Sequence, residues 1–326
     1  MSSTSEMRYV NAITQALRDS MEQDPSVVVL GEDVAHAGGS FKATRGLLET
    51  FGEQRVMDTP ISESAITSAA VGMALTGLKP VVEIMFMDFI TLSMDALVNQ
   101  AAKARYMFGG QGSVSMVLRT PHGGGLSAGP QHSQCLEAWL AHIPGLKVVC
   151  PSNPQDAYSL LRAAIADPDP VMFIEHKAMY ASKGQVDTTA VAQIGQARIA
   201  RAGRDVTLVT YGATVPVCLK AAEQLSKEGV EAEVLDLRSI QPWDKAAVLE
   251  SLSRTHRAVV VHEAVQAFGV GAEIVATIAD EGFDELDAPV LRVAAPFMPA
   301  PFASSLEKGY VVTVDRVIEA VRKTLA

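Results

Sequence analysis

Three short stretches combine residue types that can move protons or attack electrophiles. The first is Arg55-Val-Met-Asp-Thr-Pro-Ile-Ser-Glu-Ser-Ala65, followed by an uncharged run over 66–78. Its Glu63 stands where a strand gives way to a helix of small apolar residues. Poor solvation at such a place disfavours the ionised form, so a carboxyl can exchange its proton nearer neutral pH. The plainer alternative is an acid that opens a helix and is favoured by the N-terminal dipole. The second stretch is Ala128-Gly-Pro-Gln-His-Ser-Gln134. An imidazole such as His132 can donate and accept protons near pH 7, although a loop histidine need have no chemical task. The third, Gly125-Leu-Ser-Ala-Gly129, matches the G-x-S-x-G of a nucleophile elbow and follows His122-Gly-Gly-Gly125, which looks like an oxyanion loop. The two motifs overlap at Gly125, whereas the oxyanion loop should come from a separate connection. Roughly eight loop residues part Ser127 from the preceding strand, and Pro130 blocks an immediate helix. A glycine-rich loop that lets another group approach the backbone explains the same residues, and a serine hydrolase using Ser127 is kept only as an alternative.

These residues need elements to hold them. Strand and helix periods alternate along the chain, which predicts two parallel-sheet α/β domains. Among the elements are a long helix over 88–107, a strand over 114–118 leading into the glycine-rich loop, and a helix over 154–166. Periodicity fades over about 180–203, and a linker at 186–203 is expected between a first domain at 1–185 and a second at 204–326. The helix stop at Ala163-Ala-Ile-Ala-Asp-Pro-Asp-Pro170 has an ordinary cause, since Pro cannot continue a helix.

At 326 residues the chain can hold two domains of common size. Hydrophobic residues make up 48% and charged residues 20%, as in soluble globular proteins. The net charge of −10 argues against nucleic acid or an anionic membrane as the main partner. The stretch from Met1 to Met7 has neither a signal-peptide core nor the Arg-rich character of a transit peptide. Cys135, Cys150 and Cys218 are odd in number and lack metal-type spacing, which suits a reducing compartment. The bacterial cytoplasm is the expected location.

Several stretches together closely resemble the β subunits of thiamine-diphosphate-dependent 2-oxo acid dehydrogenase E1 components, the pyruvate, branched-chain and acetoin enzymes. They are Asp58-Thr-Pro-Ile-Ser-Glu63, Ala70-Val-Gly-Met-Ala74, Gly77-Leu-Lys-Pro80, Glu83-Ile-Met-Phe-Met-Asp-Phe89 and Ala141-His-Ile-Pro-Gly-Leu-Lys-Val-Val-Cys-Pro-Ser152. The resemblance implies a transketolase-like pyrimidine-binding domain followed by a transketolase C-terminal-like domain. It implies that Glu63 hydrogen-bonds the aminopyrimidine N1′ of thiamine diphosphate, which serves as electron sink. It assigns His132 to acyl transfer toward a lipoyl group. By the same resemblance Phe89 packs on the aminopyrimidine with Ile61 and Met85 nearby, where the alternative is plain core packing. Potassium would bind at Met116, Ala164, Ile165, Asp167 and Asp169, mainly through main-chain carbonyls, which are partly negative at a helix end. Pro168 departs from the family's turn and could redirect those carbonyls.

The family's Mg²⁺ and diphosphate signature, Gly-Asp-Gly with a later Asn, is missing from this chain, as is a G-x-G-x-x-G after a strand. The diphosphate half of the site, with its Mg²⁺, is therefore expected on an E1 α subunit in an α2β2 heterotetramer that serves a lipoyl-bearing E2. Tyr106-Met-Phe-Gly-Gly-Gln111 and Glu175-His-Lys-Ala-Met-Tyr180 look most like the acetoin type, and Phe283-Asp-Glu-Leu-Asp-Ala-Pro289 as much like the pyruvate type. A reading from another class is a catalytically silent scaffold for E2 assembly.

Overall fold

The computed structural model describes residues 4–326, so the first three residues of the Met1 to Met7 stretch lie outside the described residues. The chain forms two compact units. One comprises Met1–His122 and Trp139–Ile194, and the other Gly123–Ala138 and Gly195–Ala326.

The first unit holds, in order, β1 (Thr4–Arg8), α1 (Tyr9–Gln23), β2 (Val27–Gly31), α2 (Leu47–Phe51), β3 (Val56–Asp58), α3 (Glu63–Leu75), β4 (Lys79–Glu83), α4 (Ala102–Met107) and β5 (Val117–His122). After α5 (Glu137–Ala141) come β6 (Lys147–Val149), α6 (Pro154–Ala166), β7 (Val171–His176) and β8 (Lys183–Asp187). Its parallel strands run in the order β6-β7-β5-β4-β2-β3. Strands β2, β5 and β7 are buried along their whole length, as expected of a parallel sheet covered on both faces. Helix α1 turns Tyr9, Ala12, Ile13, Ala16, Leu17 and Met21 inward, the spacing of one helical face. Strand β1 pairs antiparallel with β8.

The expected long helix over 88–107 is instead three pieces: a 3₁₀ segment at Met87–Leu92, a π segment at Ala96–Ala101, then α4. Ser93 accounts for the first break. It is buried, and its hydroxyl donates to the Glu63 carbonyl and accepts from the Thr67 hydroxyl on α3. Such side-chain bonds offer the backbone an alternative to a regular helix. The strand expected over 114–118 is displaced to Val117–His122, because Val114 to Met116 forms a turn closed by the Met116 N–H on the Val114 carbonyl.

The second unit holds β9 (Arg198–Arg201), β10 (Val206–Thr210), α7 (Thr214–Ser226), β11 (Ala232–Asp236), β12 (Ser239–Gln241), α8 (Lys245–Thr255), β13 (Ala258–Val265), α9 (Val270–Glu281), β14 (Leu291–Ala295), α10 (Ser304–Tyr310) and α11 (Val314–Leu325). Its sheet runs β14-β13-β10-β11-β9, parallel except for β9, which lies antiparallel on β11. Leu208, Val234, Val259 and Val261 from the strands pack with Val215 and Ala222 of α7 and Val317 and Val321 of α11.

Two features differ from the sequence expectation. Part of the supposed linker, Arg198–Arg201, is a strand, and Arg198 is tied to Asp236 and Arg201 to Glu231. Segment Gly123–Ala138, expected within a domain at 1–185, belongs to the second unit, whose carboxylates bind its main chain. Among the described residues no helix is long and apolar enough to cross a membrane.

Candidate functional site

In open parallel sheets, ligands bind beyond the carboxyl ends of the strands. The polar residues of the first unit gather at that edge. Glu32 follows β2, Asp58 ends β3, Glu83 ends β4, His122 ends β5 and His176 ends β7. Glu63 is the first residue of α3 and only 6% exposed, and the helix shows an inward face of Glu63, Ile66, Thr67, Ala70, Val71 and Ala74. The Ser62 side chain makes no cap bond to the helix.

Glu32 was missed by the sequence reading. It too is 6% exposed, and its Oε1 is buried with no hydrogen-bond partner. Burial lifts its carboxyl above the usual range, the negative charges of Glu63 and Asp33 lift it further, and the Ser62 N–H that donates to it works the other way. Two buried acids thus sit together at a helix N-terminus, where partial positive charge helps hold them. Only Gly31-Glu-Asp33 at the end of a strand signalled Glu32, and that stretch also fits an ordinary turn.

Beside Glu63, the 3₁₀ segment at Met87–Leu92 is drawn onto α3 by Ser93. Met85 and Phe89 are half-buried and Ile61 is 83% exposed, so these apolar side chains are not consumed by the core. Phe89 lies edge-on to Phe86 with ring centres 6.0 Å apart, and Phe86 meets Phe41 at 5.9 Å, with the Lys177 ammonium 5.6 Å over the Phe86 ring.

Below this shelf three neighbouring strands share an ion cluster. Arg119 of β5 is 1% exposed. Its Nη1 donates to Glu83 Oε2 on β4 at 2.8 Å, and its Nε and Nη2 to the two Glu175 oxygens on β7 at 2.6 and 2.9 Å. The Tyr180 hydroxyl donates to Glu175 Oε2 at 2.7 Å. Burial raises the Glu175 carboxyl above its ordinary range, against the pull of Arg119. Burial alone would lower the Arg119 guanidinium, but Glu175 and Glu83 outweigh it and hold it above its ordinary value. A charged residue inside each of three apolar strand runs was the available signal.

Of the positions assigned to potassium, Ala164, Ile165, Asp167 and Asp169 lie at or just past the end of α6, and Met116 just before β5. The Val171 N–H donates to the Met116 carbonyl, the Asp167 N–H to the Ala164 carbonyl, and the Ser115 hydroxyl to the Asp167 carbonyl. Each carbonyl keeps a second lone pair. The nearby carboxylates are matched by cations, Asp167 by Lys147 at 2.6 Å and Asp169 by Arg105 at 2.5 Å.

His132 is half-buried on the loop of the second unit, in a turn closed by its N–H on the Gly129 carbonyl. The same loop removes the hydrolase alternative. Ser127 has a left-handed φ of 53°, but its hydroxyl and N–H both donate to Glu307 Oε2. The N–H groups of Gly124 and Gly125 are taken by Glu263 and Glu307. An oxyanion hole needs those donors free, and a carboxylate at this spot would repel the charge it should stabilise.

Residues 5–183 match the family described as Transketolase, pyrimidine binding domain, and residues 195–317 that described as Transketolase, C-terminal domain. The chain is 45% identical over 323 residues to a mitochondrial pyruvate dehydrogenase E1 component subunit beta-2 of Oryza sativa subsp. japonica, covering 98% of this chain and 86% of that one. It is 45% identical over 320 residues to a 2-oxoisovalerate dehydrogenase subunit beta of Bacillus subtilis, covering 97% and 98%. It is 45% identical over 328 residues to an acetoin:2,6-dichlorophenolindophenol oxidoreductase subunit beta of the same organism, covering 97% and 96%. A solved split-gene transketolase, described as an inactive beta4 tetramer, shares the fold with a TM-score of 0.82 at 21% identity over 98% of each chain. The chain therefore belongs to the family of E1 β subunits of thiamine-diphosphate-dependent 2-oxo acid and acetoin dehydrogenases, built from a transketolase pyrimidine-binding domain and a transketolase C-terminal domain.

Proposed function

We propose that this chain is the β subunit of an α2β2 enzyme that cleaves a 2-oxo acid or acetoin and passes the acyl group to a lipoyl-bearing E2. The observation that carries this reading is Glu63, an acid buried at the start of α3, whose carbonyl accepts from Ser93 at the end of the 3₁₀ segment that bears the half-buried Phe89. Thiamine diphosphate, when bound, supplies the electron sink for breaking a bond next to a carbonyl carbon. Glu63 would exchange a proton with the pyrimidine N1′, beside Glu32, whose carboxyl burial lifts above its ordinary range. Phe89 would pack on the pyrimidine, with Ile61 and Met85 supplying apolar neighbours. His132 takes part in acyl transfer. Lacking Gly-Asp-Gly, this chain leaves the diphosphate and its Mg²⁺ to the α subunit.

The decisive experiment mixes the purified chain with its α partner and assays pyruvate, 2-oxoisovalerate and acetoin. Neither chain alone should turn over, and the mixture should do so only with thiamine diphosphate. A reconstituted complex that keeps its activity with both Glu63 and His132 replaced would support a silent scaffold instead. In the same complex, His132→Ala is expected to slow acylation of a lipoyl domain by about 10²-fold or more. Oxidation coupled to 2,6-dichlorophenolindophenol should fall much less, and equal losses in both assays would remove the acyl-transfer role.

Potassium at Met116, Ala164, Ile165, Asp167 and Asp169 is part of the same proposal. Replacing NaCl by KCl at equal ionic strength is expected to raise the melting temperature by about 2–4 °C, the shift for roughly 1 kcal/mol of binding. Identical melting curves in the two salts would speak against an ion there.

A further inference from the structure

Helix α10 has one buried side chain, and it is an acid, Glu307. Burying a carboxylate is costly unless hydrogen bonds replace its water. Glu307 finds those bonds in the glycine-rich loop, far away in the sequence. Its Oε1 accepts from the Gly125 N–H at 2.8 Å, and its Oε2 from the Ser127 N–H at 2.9 Å and the Ser127 hydroxyl at 3.2 Å. Glu263, within β13, accepts from the Gly124 N–H at 2.7 Å. The loop needs such a hold, because Gly123, Gly125, Ser127 and Gly129 all have φ between 53° and 89°, a region that serine rarely adopts. The segment leading into α10 holds it a second time. A methyl group at Gly129 would come within 2.2 Å of the Phe302 ring, and the turn bearing His132 starts at that glycine.

We propose that Glu307, supported by Glu263, is a positioning residue that fixes the loop presenting His132. Its two oxygens set the path of the main chain from Gly125 to Ser127, and Phe302 sets the next corner at Gly129. This rests on the reading that His132 serves acyl transfer, which the experiment tests separately.

The test uses the reconstituted α2β2 enzyme with Glu307→Gln, which keeps the shape and one carbonyl acceptor but loses the charge that roughly doubles the strength of such bonds. Amide hydrogen exchange over 123–134 is expected to accelerate by about tenfold, with helix α9 unchanged. Acylation of a lipoyl domain should fall by up to about 10²-fold through kcat, as for small misplacements of a working group. The KM for the 2-oxo acid and the dichlorophenolindophenol-coupled rate should stay within about twofold of the native values. Native exchange over 123–134 in Glu307→Gln overturns the proposal. So does faster exchange with native acylation, provided that His132→Ala lowers acylation. If His132→Ala leaves acylation intact, the role of His132 fails, while exchange still decides whether Glu307 holds the loop. Should Glu307→Gln not assemble, Glu263→Gln is read by the same measurements, with a smaller acceleration centred on Gly124 expected and native exchange there counting against the clamp.

Discussion

Replacing Glu63 by Gln in the reconstituted enzyme is expected to lower thiamine-diphosphate-dependent turnover by about 10²–10⁴-fold, the range for losing a general acid or base. The amide has nearly the same size and keeps an acceptor, so α3 should begin where it does now. It cannot deliver a proton. Glu32 does not replace it, because it follows β2 rather than opening α3, and the Ser62 N–H already donates to it. Stability should move the other way from activity. Glu32 and Glu63 are acids buried side by side, and the charge of Glu63 helps lift the Glu32 carboxyl above its ordinary range. Removing one charge relieves that repulsion, so the variant should melt at or slightly above the native temperature near pH 7. Kinetics and thermal denaturation on one preparation check both halves. Native turnover in Glu63→Gln would remove Glu63 from the chemistry, and a lowered melting point would contradict the charge argument.

Much of the architecture was legible because it depends on local pattern. The β-rich valine runs, the amphipathic face of α1 and the acid ahead of an uncharged small-residue helix each follow from neighbours in sequence. What the sequence hid depends on long-range pairing. Ser93 interrupts a helical run only because Glu63 and Thr67 stand opposite it. Glu32 gains meaning from Glu63, and Glu307 from a loop that precedes it by some 180 residues. The G-x-S-x-G match, already at odds with a hydrolase in sequence, has its explanation at long range too. Its glycines and serine do adopt left-handed backbone, yet for a turn whose donors are spent on carboxylates rather than kept for an oxyanion. Polar residues at isolated positions inside apolar runs, such as Arg119 and Glu175, mark where such long-range pairs form.

The second large effect concerns Arg119. Its guanidinium is the shared partner of two buried carboxylates on flanking strands, and Glu175 is completely buried. Arg119→Met fills the space but leaves Glu83 and Glu175 without that partner. Breaking a buried pair from one side typically costs about 3–5 kcal/mol. For domains of this size that lowers the melting temperature by roughly 6–20 °C near pH 7. The pH dependence has a definite sign. Glu175 already titrates above its ordinary range because of burial, and losing Arg119 raises it further. An acid with a raised folded value is comfortable while protonated, and its contribution is lost as pH climbs from the unfolded value, about 4.3, through the folded one. The gap between variant and native protein should therefore widen as pH rises over that window and narrow toward mild acid. Adding Glu83→Gln and Glu175→Gln to Arg119→Met should recover part of the loss near neutrality, since no buried charge then lacks compensation. A pH-independent gap, or an Arg119→Met protein that melts like the native one at pH 7, would show that the cluster is not what holds the three strands together. The consequence reaches the site, because Glu83 is the last residue of β4 and the chain runs from it directly into Met85 and Phe89. Without Arg119 the end of that strand has a charge to expel, and the aromatic shelf should lose its fixed position before the fold as a whole gives way.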